Sequence, residues 1–185
     1  MVYVLLADGF EEIEALAPVD FLRRAGISVA TVSVGDYEVL GVHNIRVKAD
    51  CVLSQVDFSS AEMVILPGGM PGTKNLDACP RMTEILISVS QHGGILAAIC
   101  AAPMVLGKRG FLEGKKAVCY PGFESTLQGA EIVQKNVVRD GAVVTGKSAG
   151  VAWEFGYTLA RMLADREICE KVREGLFLPE FGDCV

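Results

Sequence analysis

Short apolar runs closed by turn residues alternate along this chain with stretches whose apolar positions recur every three or four residues. Val2–Leu6, Ile27–Val34, Met63–Leu66 and Ile95–Ile99 are of the first kind and predict strands. Their unbroken apolar character suits strands covered on both faces. Glu11–Ala25 is of the second kind, with Ile13, Leu16, Ala17 and Phe21 at helical spacing and Arg23, Arg24 and Gly26 as stop signals. Pro18 inside it predicts a kink or an unpaired carbonyl around Glu14. Pro80–His92 predicts a second helix, with Met82, Ile85, Leu86 and Val89 on one face and Gly93-Gly94 beyond its end. His92 is then placed to cap carbonyls. Val151–Leu163 predicts a third helix, and Glu167–Glu174 continues helically.

Between these lie weaker signals. Val39–Lys48, broken by Gly41 and His43-Asn44, predicts a pair of short strands leaving the main sheet. Gln55–Ala61 reads as a connection or short helix, and Lys116–Cys119 and Val143–Thr145 as further strands. Glu131–Arg139 is expected to form a hairpin with the latter around Asp140-Gly141, and Gly175–Val185 reads as a tail of unassigned order. The opening β-α-β unit implies a parallel pair with a right-handed crossover. Continued alternation implies an α/β fold, a three-layer α/β/α sandwich on a mostly parallel sheet, as a single domain over 1–185.

Composition narrows the functional classes. A net charge of −6 disfavours nucleic acid or an anionic membrane as partner. The longest apolar run, Ile95–Leu106, is interrupted by Pro103 and falls well short of the ~20 residues of a membrane span. Met1 leads straight into a strand without a basic leader, so a cytoplasmic protein is expected. Cys51, Cys79, Cys100, Cys119, Cys169 and Cys184 are scattered without metal-ligand spacing, and His43 and His92 are the only histidines. Neither a metal site nor a disulfide framework is expected.

Candidate chemistry concentrates around GGILAAICAAP, residues 93–103. Ile95–Ile99 ends at Cys100, and Ala101 to Leu106 then reads as the start of a helix, with Pro103 tolerated in its first turn. Cys100 therefore sits at a strand-to-helix corner, the geometry of a nucleophile elbow. Free N–H groups and the helix dipole at such a corner favour a thiolate, although a free cysteine most often serves as a small buried hydrophobe. In parallel α/β sheets ligand sites lie at the carboxyl ends of strands, which here are Ala7 to Gly9, Pro67 to Met70, Cys100-Ala101, Tyr120-Pro121 and Gly146 to Gly150. Gly68-Gly69 would let a backbone N–H approach the sulfur and form an oxyanion hole with the N–H of Ala101. Glu11, Glu12 and Glu14 crowd a helix start, where Glu11 and Glu12 read as solvated dipole-compensating charge. Glu14 lies nearer the apolar face and can reach the elbow. A carboxylate at Glu14 would repel a thiolate and raise its pKa, whereas a protonated Glu14 would donate to the sulfur and lower it, and the two groups would titrate as a unit.

DGFEEIEA, VILPGGMPG, AAICAAP and the late TGKSAG together resemble the ThiJ/PfpI superfamily, in the branch of the parkinsonism-associated protein deglycase and bacterial ThiJ-like proteins. The resemblance runs from about Val2 to at least Leu163. It implies a flavodoxin-like sandwich, a homodimer, Cys100 as an oxidisable nucleophile, Glu14 as its protonated partner, and Gly69 and Ala101 as oxyanion donors. It implies cofactor-free glyoxalase or deglycase action on small reactive carbonyls, besides redox sensing and chaperone-like behaviour. Gly68, Tyr120 and His43 are further pocket candidates. Tyr120 stands where the branch often carries histidine, and a phenol of pKa about 10 cannot serve as a base near neutrality. His43 stands where relatives often show arginine near the dimer contact, and reads more simply as a loop or interface residue. A peptidase or amidase of the PfpI type is the alternative enzyme. It lacks a base, because Ala101 follows the cysteine and no histidine follows His92.

Overall fold

Val2–Leu6 is almost wholly apolar and packs between two parallel neighbours in the middle of a seven-stranded sheet. The computed structural model describes residues 1–182. In chain order its strands and α-helices are β1 Val2–Leu6, α1 Glu12–Arg24, β2 Val29–Ser33, β3 Glu38–Leu40, β4 Arg46–Lys48, β5 Cys51–Val52, β6 Met63–Leu66, α2 Gly72–Asp77, α3 Met82–Gln91, β7 Ile95–Ile99, α4 Pro103–Gly107, β8 Lys116–Ala117, β9 Glu131–Ile132, β10 Val137–Asp140, β11 Val143–Gly146, α5 Ala152–Ala160 and α6 Arg166–Gly175.

The main sheet has the order β10-β11-β7-β6-β1-β2-β5. Every pairing in it is parallel except β10 with β11. Phe10, Phe21 and Phe155 fill the layer between the sheet and α1, α5 and α6, while Leu66, Met82, Leu86 and Val105 fill the opposite layer under α2, α3 and α4. β7 is buried along its whole length, as a strand covered on both faces must be. This is the expected flavodoxin-like α/β/α sandwich. Among the described residues no helix is long and apolar enough to cross a membrane.

α1 runs through Pro18 as one helix, and Pro18, which has no N–H to give the Glu14 carbonyl, lies against α5, where a Cβ on Gly156 would sit 3.0 Å from its Cα. Several other expectations are corrected. Only Lys116–Ala117 of the 116–119 run is strand, and it pairs with Glu131–Ile132 in a separate two-stranded sheet. The hairpin around Asp140-Gly141 is therefore confined to β10 and β11. The edge strand β5 and the short helix α2 were not foreseen. Gly175–Val185 contains the last residue of α6 and then irregular chain to Gly182; its remaining residues, Cys184 among them, lie outside the described part.

Two features of this framework position the site. The chain leaving β1 turns to one face as α1, and the chain leaving β6 turns to the other as α2 and α3. The β1/β6 boundary is thus a topological switch point, where the carboxyl ends of strands open a crevice. The β3–β4 hairpin is tied to the turn that follows β1. Gly9 donates to the Leu40 carbonyl at 2.7 Å, Val42 to the Phe10 carbonyl at 2.8 Å, and Leu40 to Asp8 Oδ1 at 2.8 Å.

Candidate active site

Cys100 leaves β7 with φ +64°, a left-handed conformation that an L-residue adopts only under constraint. Its N–H donates to the Gly146 carbonyl at 2.9 Å, and its own carbonyl accepts from Tyr120 N–H at 2.8 Å. The end of β11 and the chain at Tyr120 therefore hold the corner in place. The sharp turn into Ala101 and Ala102 leaves the Cys100 side chain half-buried at the rim of the crevice. The N–H groups of Ala101 and Gly69 are directed at its sulfur.

Glu14 enters from the opposite side. The first turn of α1 places its carboxyl fully out of solvent, and one oxygen accepts from Gly68 N–H at 2.9 Å. The other oxygen, Oε1, is buried without a close hydrogen-bond partner. The Cys100 thiol and the Ala149 N–H are polar neighbours of the carboxyl. Glu11 fixes this turn: its Oε2 accepts from Glu14 N–H at 2.8 Å, and its own N–H donates to the Gly68 carbonyl at 3.0 Å. Gly68 and Gly69 have no room for a side chain. A Cβ on Gly68 would lie 2.5 Å from Glu14 Oε2, and one on Gly69 2.5 Å from Glu11 N.

The electrostatics are those of two acids sharing one buried space. Burial lifts the Glu14 carboxyl to about 7, against the Gly68 hydrogen bond and the neighbouring Cys100 thiol and Ala149 N–H, which favour its anion. The Cys100 thiol is pushed up to about 12 by burial and by the charge of Glu14, with the Ala101 and Gly69 N–H groups pulling the other way. Burial and the Glu14 charge thus outweigh the acidifying pull of the two amides at this corner. The pair loses its two protons in well-separated steps, so above neutrality it holds one proton and one negative charge. With the proton on Glu14, the charge rests on a sulfur facing two amides.

The other sequence candidates fall elsewhere. Glu12 is not solvated: it is 4 % exposed, and its carboxylate accepts from the backbone N–H of His43 and contacts His43 Nδ1, both at 2.8 Å. Glu11 is half-buried as the cap of α1 rather than free in solvent. His43 thus reaches the helix start through Glu12 and, at 3.8 Å, Glu11. Tyr120 contributes its backbone to the corner, while its exposed ring packs edge-on against Phe123. His92 Nδ1 lies 2.7 Å from the Ser88 carbonyl at the end of α3. Cys119 is buried, and burial and Glu124 push its thiol up to about 11, which keeps it protonated. Sequence reasoning missed Ala149 and the burial of Glu12. The small residues of Ser148-Ala149-Gly150 after β11 were the available signal for the first.

Residues 1–162 match the DJ-1/PfpI family. The chain belongs to that family. Protein dj-1beta of Drosophila melanogaster is 35% identical over 178 residues, covering 95% of each chain. The crystal structure of Drosophila melanogaster DJ-1beta superposes with a TM-score of 0.93 at 36% identity, over 97% of this chain and 98% of that one. An oxidised Toxoplasma gondii DJ-1 structure gives a TM-score of 0.92 at 34% identity, over 97% and 98% of the two chains. The glutathione-independent glyoxalase DJR-1.2 of Caenorhabditis elegans is 31% identical over 158 residues, 85% of this chain and 84% of that protein. The DJ-1/PfpI chain described here thus shares its fold along nearly the whole length of the Drosophila melanogaster and Toxoplasma gondii structures.

Proposed function

We propose that this DJ-1/PfpI protein is a cofactor-free, cysteine-dependent enzyme acting on small dicarbonyls, converting methylglyoxal to lactate. The observation that carries the reading is the juxtaposition of Cys100 with the solvent-excluded Glu14 carboxyl. The Cys100 thiolate attacks the aldehyde carbon, and Glu14 gives its proton to the carbonyl oxygen, forming a hemithioacetal. The Glu14 carboxylate then removes the hydrogen from that carbon and returns it to the adjacent one, while the hydroxyl proton of the hemithioacetal passes to the neighbouring carbonyl oxygen, leaving a 2-hydroxy thioester. Water hydrolyses the thioester to the hydroxy acid and the free thiol, so one water is consumed overall. The Gly69 and Ala101 N–H groups hold the oxyanion or the sulfur charge at each stage. The resemblance to a glutathione-independent glyoxalase supports the same chemistry. Acyl transfer in a peptidase would need a histidine base, and both histidines are engaged away from the sulfur, His43 with Glu12 and His92 with Ser88. Purified protein given methylglyoxal without glutathione should release lactate; equal lactate from Cys100→Ser would end the proposal.

A second reading, a cytoplasmic homodimer that senses oxidants, is favoured by the oxidised Toxoplasma gondii relative and by two amides aimed at the sulfur of a half-buried cysteine. Peroxide would carry Cys100 through the sulfenic to the sulfinic acid, whose oxygens those N–H groups suit. Mass spectrometry after mild peroxide should place oxidation on Cys100 ahead of buried Cys119 and Cys169. Even oxidation of all three would refute it.

A further inference from the structure

We propose that His43 is a positioning residue whose positive charge, relayed through Glu11 and Glu12 at the start of α1, favours the anionic state of the Cys100–Glu14 pair. The proposal rests on the site assigned above and adds a residue from a different part of the fold. His43 stands on the β3–β4 hairpin, 31 positions from Glu12 in the chain. The clamp between them is built for an anion. Glu12 is buried and accepts from His43 at both backbone and ring, and the Ile45 N–H also faces it. Its carboxyl fills the space where Gly41 has no side chain. Glu12 is accordingly held below the usual carboxylate range despite burial, and His43 is held above its ordinary value by the same contact.

Glu11 links the clamp to the thiol. Its carboxylate caps the N–H of Glu14 and lies 3.8 Å from His43 Nδ1. The ionisable groups facing Glu14 are Cys100 across the crevice and Glu11 on its own helix, and those facing His43 are Glu12 and Glu11. Glu11's charge works against ionisation of the pair. A proton on His43 offsets that charge, so charged His43 lowers the pH at which the pair becomes anionic, and neutral His43 raises it. The hairpin thereby communicates the protonation of exposed His43 to the thiol through the start of α1.

The test is the pH profile of Cys100 alkylation by iodoacetamide in the full chain, read by mass spectrometry. This readout does not depend on any substrate, so a failed glyoxalase assay leaves it intact. His43→Gln keeps a donor for Glu12 without the charge, and His43→Arg keeps the charge at every pH. The midpoint of the reactivity rise should move up by about half a pH unit in His43→Gln, as expected for a partly screened charge near the pair. His43→Arg should restore or lower it, and 0.5 M salt should shrink the difference. Identical midpoints in all three proteins overturn the proposal. A shift in His43→Gln that His43→Arg fails to reverse overturns it too, since hydrogen bonding and not charge would then be responsible.

Discussion

Gly68 and Cys100 are packed so closely that a methyl group on the glycine would lie 2.7 Å from the cysteine Cβ. The same methyl would meet Glu14 Oε2 at 2.5 Å. Gly68→Ala therefore forces apart the two groups whose contact defines the site. It should lower Cys100 alkylation at neutral pH at least tenfold while costing only about 1–3 kcal/mol of stability, the usual range for overpacking. Alkylation rates and a urea melt on the same preparation check both halves.

Glu14 makes stability depend on pH in an unusual direction. Its folded-state value, about 7, lies above the ordinary carboxylate value of 4.5. The folded chain therefore holds a proton that the unfolded chain releases. The contribution is fully present below about pH 4.5 and lost as pH rises through about 7, up to about 3 kcal/mol in all. Glu14→Gln should abolish this slope, leaving the variant more stable than the parent at pH 8. Denaturant midpoints at pH 5 and pH 8 measure it. In the same variant the alkylation step near pH 7 should vanish, and the thiol should titrate below the parent's about 12 yet stay raised, since burial remains while the repulsion of Glu14 is gone.

Glu12 predicts the opposite slope. Its folded-state value is lowered by the contacts to His43, so the stability it contributes is lost only as pH falls below the ordinary carboxylate range. Glu12→Ala strands the His43 and Ile45 N–H groups and should cost about 1–3 kcal/mol. Faster amide exchange confined to Gly41–Lys48 would locate that loss in the hairpin.

The strands that carry the site were legible for a physical reason. β1, β6 and β7 are covered on both faces, so burial writes itself into the sequence as unbroken apolar runs. β5, β8 and β9 are two residues each, too short to show a period. α2 begins at Gly72 behind Pro71, and neither residue signals a helix interior. Cys100 announced itself by its place between a strand and a helix. The burial of Glu12 did not, because its partner His43 lies on a separate hairpin 31 residues away. Glu14 likewise owes its neutral form to a desolvation that only the assembled layers create, and its hydrogen-bond donor, Gly68, lies 54 residues distant.

The left-handed turn at Cys100 has a last consequence. A side chain held at φ +64° costs of order 1 kcal/mol or more that glycine would not incur. Cys100→Gly should thus fold more firmly than the natural chain while losing its sulfur. Selection for durability alone would delete the nucleophile, so its presence records a compromise in favour of chemistry.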